Sequence, residues 1–209
     1  MASGDFIDLK LYEPHMRHLI DTYIRADDSK KVSEFENTSL VQLIVERGAE
    51  AVKALPKGIQ ASEKAVAETI ENNVRKLIVD EQPINPKYYE QMSQLLDALV
   101  KQRRERAIEY QEYLRQIVEL AKKVKNPSLG ADYPKATDTA GRRALFDNLD
   151  RNEALAMAVD TAVRTSVQDD WRSNKLKVRK VRDAIKAALG GDDSATERIL
   201  ELVKSNHEF

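Results

Sequence analysis

The chain has 209 residues, with 34 Lys plus Arg against 35 Asp plus Glu, no Cys and a net charge of −1. That length buries roughly 70% of an extended chain's surface, in one large domain or two small ones. The charge balance excludes a bulk polycation but not a local basic patch, and the absence of cysteine excludes disulfides, thiolate–zinc sites and thiol catalysis. The longest uninterrupted apolar run, 154–159, is far short of the roughly 20 residues of a membrane span. Residues 1–5 offer neither a basic n-region nor an apolar h-region, so no signal peptide is expected. Seven glycines and six prolines leave few breaks in a chain rich in Ala, Leu, Glu, Lys and Arg. The expectation is a soluble, cytoplasmic, all-α protein.

In chain order, Pro14 opens a stripe of Met16, Leu19, Ile20, Tyr23 and Ile24, broken by the polar run 27–31. Thr38 or Ser39 then caps a helix with Leu40, Leu43, Ile44 and Ala51 on one face, stopped at 55–58. Ser62 starts a helix with Val66, Thr69, Ile70, Val74, Leu77 and Ile78 inward. Asn85 caps the next, and Pro86 occupies its first turn, where no N–H is needed.

From 86 to 125 neither Gly nor Pro intervenes, and Met92, Leu96, Leu99, Arg103, Arg106, Tyr110, Tyr113, Ile117, Leu120 and Val124 step by three and four. The periodicity predicts one central helix of roughly 60 Å, with Arg103 and Arg106 in apolar slots where the helix bends, leaves the core or uses the guanidinium. Residues 127–138 form the clearest loop. Thr139 starts a short helix around Leu145, Phe146 and Leu149, and a second carries Leu155, Val159, Ala162 and Val163. A third, over about 170–189, aligns Trp171, Val178, Val181, Ile185 and Leu189, and residues 194–197 match a capping box before the last helix, 199–203. The expected architecture is an irregular bundle of seven to eight helices around the helix at about 86–125. Its parts 1–126 and 139–209 are expected to pack as one domain, because the long helix is too apolar on one side to stand alone.

The sequence contains no phosphate-binding Gly-rich loop, nucleophile elbow or Glu-x-x-His pair, and no catalytic residue is assigned. His15, His18 and Asp21 share one side of the first expected helix; two surface histidines beside a helix terminus is the simpler reading, and no metal site is assigned.

Charge is segregated near the C-terminal end. Between Trp171 and Lys186 stand seven bases (Arg172, Lys175, Lys177, Arg179, Lys180, Arg182 and Lys186) against one acid, Asp183. Arg172, Lys175, Arg179, Arg182 and Lys186 fall in one row at helical spacing, suited to following phosphates, although a charged run is usually a solvated face. Lys101, Arg103, Arg104 and Arg106 form a weaker cluster beside Glu105 and Glu109. Trp171 either stacks on a base or partner, or joins the core, as a lone tryptophan at helical spacing more often does. Of Tyr88 and Tyr89, one is expected inward and the other free to offer its hydroxyl.

Six blocks, in order, resemble the C-terminal helical region of type I restriction enzyme R subunits: 16–24 (MRHLIDTYI), 40–48 (LVQLIVERG), 67–78 (AETIENNVRKLI), 80–89 (DEQPINPKYY), 143–149 (RALFDNL) and 170–175 (DWRSNK). The resemblance implies a cytoplasmic, bacterial defence enzyme that translocates duplex DNA with ATP and then cuts it. ATP and Mg would sit in nuclease and helicase lobes N-terminal to this region, and no cofactor in the region itself. It implies that the chain is a portion of that subunit starting near Asp5, with 1–3 a cloning remnant and Phe209 at or near the natural end. The implied partners are the methyltransferase core of modification and specificity subunits, the helicase lobes, and duplex DNA without sequence preference. Docking would then use Trp171, Tyr88 and Tyr89, while Arg172, Lys175, Lys177, Arg179, Lys180, Arg182, Lys186, Arg103 and Arg104 would contact phosphates. A purely structural buttress of the helicase lobes is the alternative.

Overall fold

The computed structural model describes residues 40–209. The helix expected from Pro14, the His15/His18/Asp21 spacing and the cap at Thr38 or Ser39 lie outside the described residues. Those described form nine α-helices and no strand, so the all-α expectation holds.

The first half begins with α1 (Leu40–Arg47), whose Leu40, Val41, Leu43 and Ile44 are buried. Gly48, at φ +60°, ends it and passes the chain into a 3-10 segment, Gly48–Ala54, that keeps Ala51 inside. A single turn, α2 (Lys57–Gln60), leads to α3 (Glu63–Glu81), capped by the Ser62 side chain, which accepts from the Ala65 N–H. Next come α4 (Pro86–Arg104), where the Asn85 side chain accepts from the Tyr88 N–H behind Pro86, and α5 (Tyr110–Lys125). Helices α1, α3, α4 and α5 pack together around Ile44, Ile70, Leu96, Tyr113 and Ile117. Each such side chain contributes roughly 1.5–3 kcal/mol on full burial.

The central helix expected over 86–125 is therefore two helices folded into an antiparallel hairpin. Without Gly or Pro, the corner is made by Arg106 at φ 54°. The Ala107 N–H donates to the Gln102 carbonyl and the Arg106 N–H to the Arg103 carbonyl, the paired bonds of a Schellman stop. The apolar stripe continues through the corner because both arms need an inward face. Their apolar side is covered by α1 and α3 rather than by the C-terminal helices.

After a 3-10 turn at Pro127–Leu129, the second half comprises α6 (Ala140–Asn148), α7 (Glu153–Ser166), a 3-10 turn at Trp171–Ser173, α8 (Lys175–Ala188) and α9 (Asp193–Ser205). Thr139 caps α6 as its sequence position suggests. The last helix starts earlier than the capping box implies: Asp192, not Ser194, accepts from the Ala195 N–H. Leu145, Val159, Val163, Trp171, Val181, Ile185, Ile199 and Val203 form the core. Buried Asp160 ties α6 to α7 by accepting from Arg142 Nε (3.0 Å) and Arg164 Nε (2.8 Å).

The buried apolar side chains thus form two clusters, residues 40–124 and 144–203, instead of one core. Where α4 meets α6 the contact is a polar seam. Asp147 Oδ2 accepts from Asn85 Nδ2 and from Tyr133 Oη, both at 2.7 Å, and Asn148 Nδ2 donates to Asn85 Oδ1 at 2.8 Å. Burial raises the Asp147 pKa above the usual carboxylate value, against the lowering effect of these donors.

Candidate nucleic-acid interface

The basic residues read as one row from Arg172 to Lys186 are divided by Asn174. Its side chain caps α8, Oδ1 accepting from the N–H groups of Leu176 and Lys177 (3.0 and 3.3 Å). Arg172 lies before that cap, in the 3-10 turn, and faces the C-terminal tail. Its Nε donates to the Lys204 carbonyl at 3.0 Å, and its Nη2 to the carbonyls of Asn206 and Phe209. Its guanidinium also lies 4.9 Å from the centre of the Trp171 ring. A side chain so engaged clamps the tail, with its reach toward a phosphate limited by those bonds.

Two further members of the row turn toward α9. Arg182 Nε donates to Glu197 at 2.6 Å and Nη2 to Asp193 at 3.2 Å, while Lys186 Nζ donates to Asp193 at 2.7 Å. Lys186 first, then Arg182, hold the Asp193 carboxyl below its ordinary pKa. These contacts cross the α8–α9 corner and neutralise that end of the helix.

What remains open is the N-terminal half of α8. Lys175 and Lys180 are exposed with no partner among the described residues. Arg179, with 79% of its side chain exposed, has only a loose approach of 3.9 Å to Asp183. Lys177 Nζ donates to the backbone carbonyl of Asp169 at 2.6 Å, which leaves its charge unneutralised. Leu176, 79% exposed, sits among them. No acid occupies the first turn of α8. Four cations at the positive pole of a helix oppose its dipole, at roughly 0.3–1 kcal/mol for each one in the first turn. The arrangement costs stability in isolation and favours an anionic neighbour.

The other candidates are placed differently. Arg103, only 14% exposed in its side chain, forms a two-point pair with Glu71 across α4 and α3 (Nε–Oε1 2.7 Å, Nη2–Oε2 3.1 Å), and Tyr113 Oη donates to the same carboxylate at 2.9 Å. It is structural and unavailable to phosphate. Arg104 is exposed at the end of α4, away from the α8 group in sequence, with no partner among the described residues. Trp171, Tyr88 and Tyr89 are 2%, 2% and 5% exposed, so none is a docking anchor. Both tyrosines turn inward, donating to the carbonyls of Lys123 and Val124 across α4 and α5 (2.9 and 3.4 Å). Burial, then the charge of Asp147, pushes the Tyr88 hydroxyl up to about 12. A side chain at Gly130 would run into that hydroxyl, so the turn after α5 requires glycine.

Sequence reasoning missed the Glu71–Arg103–Tyr113 cluster, although its signal was present: an acid and a base, each in an apolar slot of neighbouring helices. It also missed the clamp on the tail. There Glu208 accepts from the N–H groups of Ala140 (3.0 Å) and Gly141 (2.8 Å) at the start of α6, and Arg164 lies over the Phe209 ring at 5.3 Å. Nothing local marks a terminal Glu as the cap of a distant helix.

Among the described residues no group of three or more His, Asp or Glu is placed to hold a metal ion, and no helix is long and apolar enough to cross a membrane. No protein-family model, curated protein or solved structure matches the chain.

Proposed function

We propose that the chain is a non-catalytic helical module of a type I restriction R subunit, which supports assembly of the motor on its methyltransferase core and contacts duplex DNA without reading its sequence. The family assignment rests on the six ordered sequence blocks. The DNA contact rests on one observation: Lys175, Arg179 and Lys180, exposed, and Lys177, half-buried, crowd the first turns of α8, with no acid in the first turn. Such cations release condensed counterions when they neutralise phosphates, and they position a duplex without specifying a sequence. The interface is smaller than the whole basic run: Arg172, Arg182, Lys186 and Arg103 serve the fold, and Trp171, Tyr88 and Tyr89 serve the two cores.

A second reading has its own support. Four of the seven bases between Trp171 and Lys186 (Arg172, Lys177, Arg182 and Lys186) donate hydrogen bonds within the chain, which is the pattern of a buttress for neighbouring lobes.

The two separate on fluorescence anisotropy of a labelled random-sequence duplex at several salt concentrations. Wild type is compared with a Lys175→Glu/Arg179→Glu/Lys180→Glu variant and a control, Arg182→Gln/Lys186→Gln. DNA contact predicts binding that weakens steeply with salt, is lost in the first variant and persists in the second. Absence of binding at low salt, or equal binding by the triple variant, establishes the buttress reading instead.

A further inference from the structure

The α4–α5 hairpin carries a groove of about 390 Å³, independent of the basic face of α8. Leu99 and Leu120 line its floor and Leu95, 51% exposed, stands at its rim. Along the α5 side run Glu112, Arg115, Gln116, Glu119 and Lys123, all lining the same groove. The charges read minus, plus, minus, plus at spacings of three, four and four, so they lie along one helix face.

Read in reverse, that series becomes plus, minus, plus, minus. A second α5 laid antiparallel about a two-fold axis near Ile117 and Val118 therefore sets Glu112 opposite the partner's Lys123 and Arg115 opposite the partner's Glu119. Every contact occurs twice, as a closed two-fold interface requires. At the level of Glu119 on its own hairpin, Leu95 meets the aliphatic stems of the partner's Arg115 and Gln116. The 16 residues of α5 give a contact line of about 24 Å, flanked by both copies of α4 in a four-helix antiparallel arrangement.

The present partners of these charges do not compete strongly. Arg115 pairs with Glu112 and Lys122 with Glu119, each one turn away on the exposed surface, and Gln116 donates to Glu112 at 2.6 Å. Exposed pairs of this kind are weakly held and free to re-pair. Two acids, Glu112 and Glu119, offset two bases, Arg115 and Lys123, so the groove offers nucleic acid no net attraction. A foreign helix would need this same alternating series to fit, whereas a second copy of the chain supplies it. From that self-complementarity we infer that the α4–α5 face is a homodimer surface, built from an apolar groove and two symmetric sets of ion pairs.

The test is sedimentation equilibrium of the full 209-residue chain from low micromolar to about 200 μM, a range reaching weak dimers. Far-UV circular dichroism confirms that each variant is helical. Wild type should shift toward twice the chain mass. Leu95→Asp, at an exposed site, should abolish the shift while keeping helicity. Arg115→Glu should weaken association by about tenfold or more, because it sets like charges together twice. Arg115→Glu/Glu119→Arg, which exchanges the signs, should bring it back to within about threefold of wild type. A wild-type chain that keeps its single mass throughout overturns the proposal and leaves the groove to a different protein or another segment of this chain. Dimers insensitive to Leu95→Asp, or a double variant no better than the single one, place any association on another surface.

Discussion

Removing the Arg103 side chain should be among the costliest single changes in the first half. Its guanidinium and the Glu71 carboxylate are 14% and 6% exposed and meet through two hydrogen bonds, and the carboxylate takes a third from Tyr113. Charge centres about 4 Å apart attract by about 4 kcal/mol at an effective dielectric of about 20. That attraction offsets desolvation of both groups, so the intact pair adds little net stability. Arg103→Ala removes the attraction and leaves a buried anion, with an expected loss of about 3–5 kcal/mol. Glu71→Leu/Arg103→Met, which removes both charges and keeps the volume, should recover much of that loss, its remaining cost of about 1–3 kcal/mol coming from the Tyr113 hydroxyl left without its acceptor. Tyr113→Phe, losing one hydrogen bond to a charged acceptor, should cost about 1.5–3 kcal/mol. Urea denaturation gives these differences, with circular dichroism reporting all helices and Trp171 fluorescence reporting the second core. An Arg103→Ala loss below about 1 kcal/mol, or a double variant as unstable as the single one, would refute the idea that the burden lies in the stranded charge.

Three other changes follow from the same structure. Asp147 has a raised folded pKa, so its favourable contribution is complete below its unfolded value near 3.8 and declines as pH rises through the folded value. Asp147→Asn keeps an oxygen for Asn85 and Tyr133 and should raise the melting temperature at pH 7, the gain vanishing below about pH 4; a loss at pH 7 would contradict this. For Glu208, burial pulls the pKa up, but the Gly141 N–H, the Thr139 hydroxyl and the Ala140 N–H outweigh it and hold it below 4.5. Its contribution is present above that value and lost as pH falls, so Glu208→Gln should cost about 0.5–1 kcal/mol at pH 7, allowing for solvent screening, and nothing near pH 2. Arg106→Gly frees the left-handed corner between α4 and α5 and should gain about 0.5–1 kcal/mol in a urea titration; a loss would mean that the arginine side chain holds the corner.

Much of the fold was legible because local rules coincide with tertiary needs. Ser62, Asn85 and Thr139 cap the helices their positions announce; of the inward stripes, Val66, Ile70, Val74 and Ile78 of α3 and Val159 and Val163 of α7 are buried, while Thr69, Leu77, Leu155 and Ala162 are half-buried. The hairpin corner was not legible, since an arginine in a left-handed conformation leaves no mark in composition, and an unbroken stripe suits a straight helix and a folded one equally. The basic row failed for a related reason. Helical spacing ran numerically from Arg172 to Lys175, but Asn174 caps a new helix between them, so Arg172 bonds to the C-terminal tail while Lys175 stands exposed on α8. Charge counts locate a patch; they do not reveal which of its members acids and carbonyls elsewhere have already taken. Trp171 illustrates the remaining ambiguity, because its neighbours Val181 and Ile185 fixed it in the core through packing that only the folded chain displays.

The seam between the halves has a mechanical consequence. Its main hydrogen bonds run among Asn85, Tyr133, Asp147 and Asn148, all groups that water satisfies well. Prising the halves apart there exchanges protein hydrogen bonds for hydration, whereas tearing either cluster open exposes leucines, isoleucines and an indole to solvent. Under load the molecule therefore yields at the α4–α6 contact first, and its two helical bodies keep their shape while the angle between them changes.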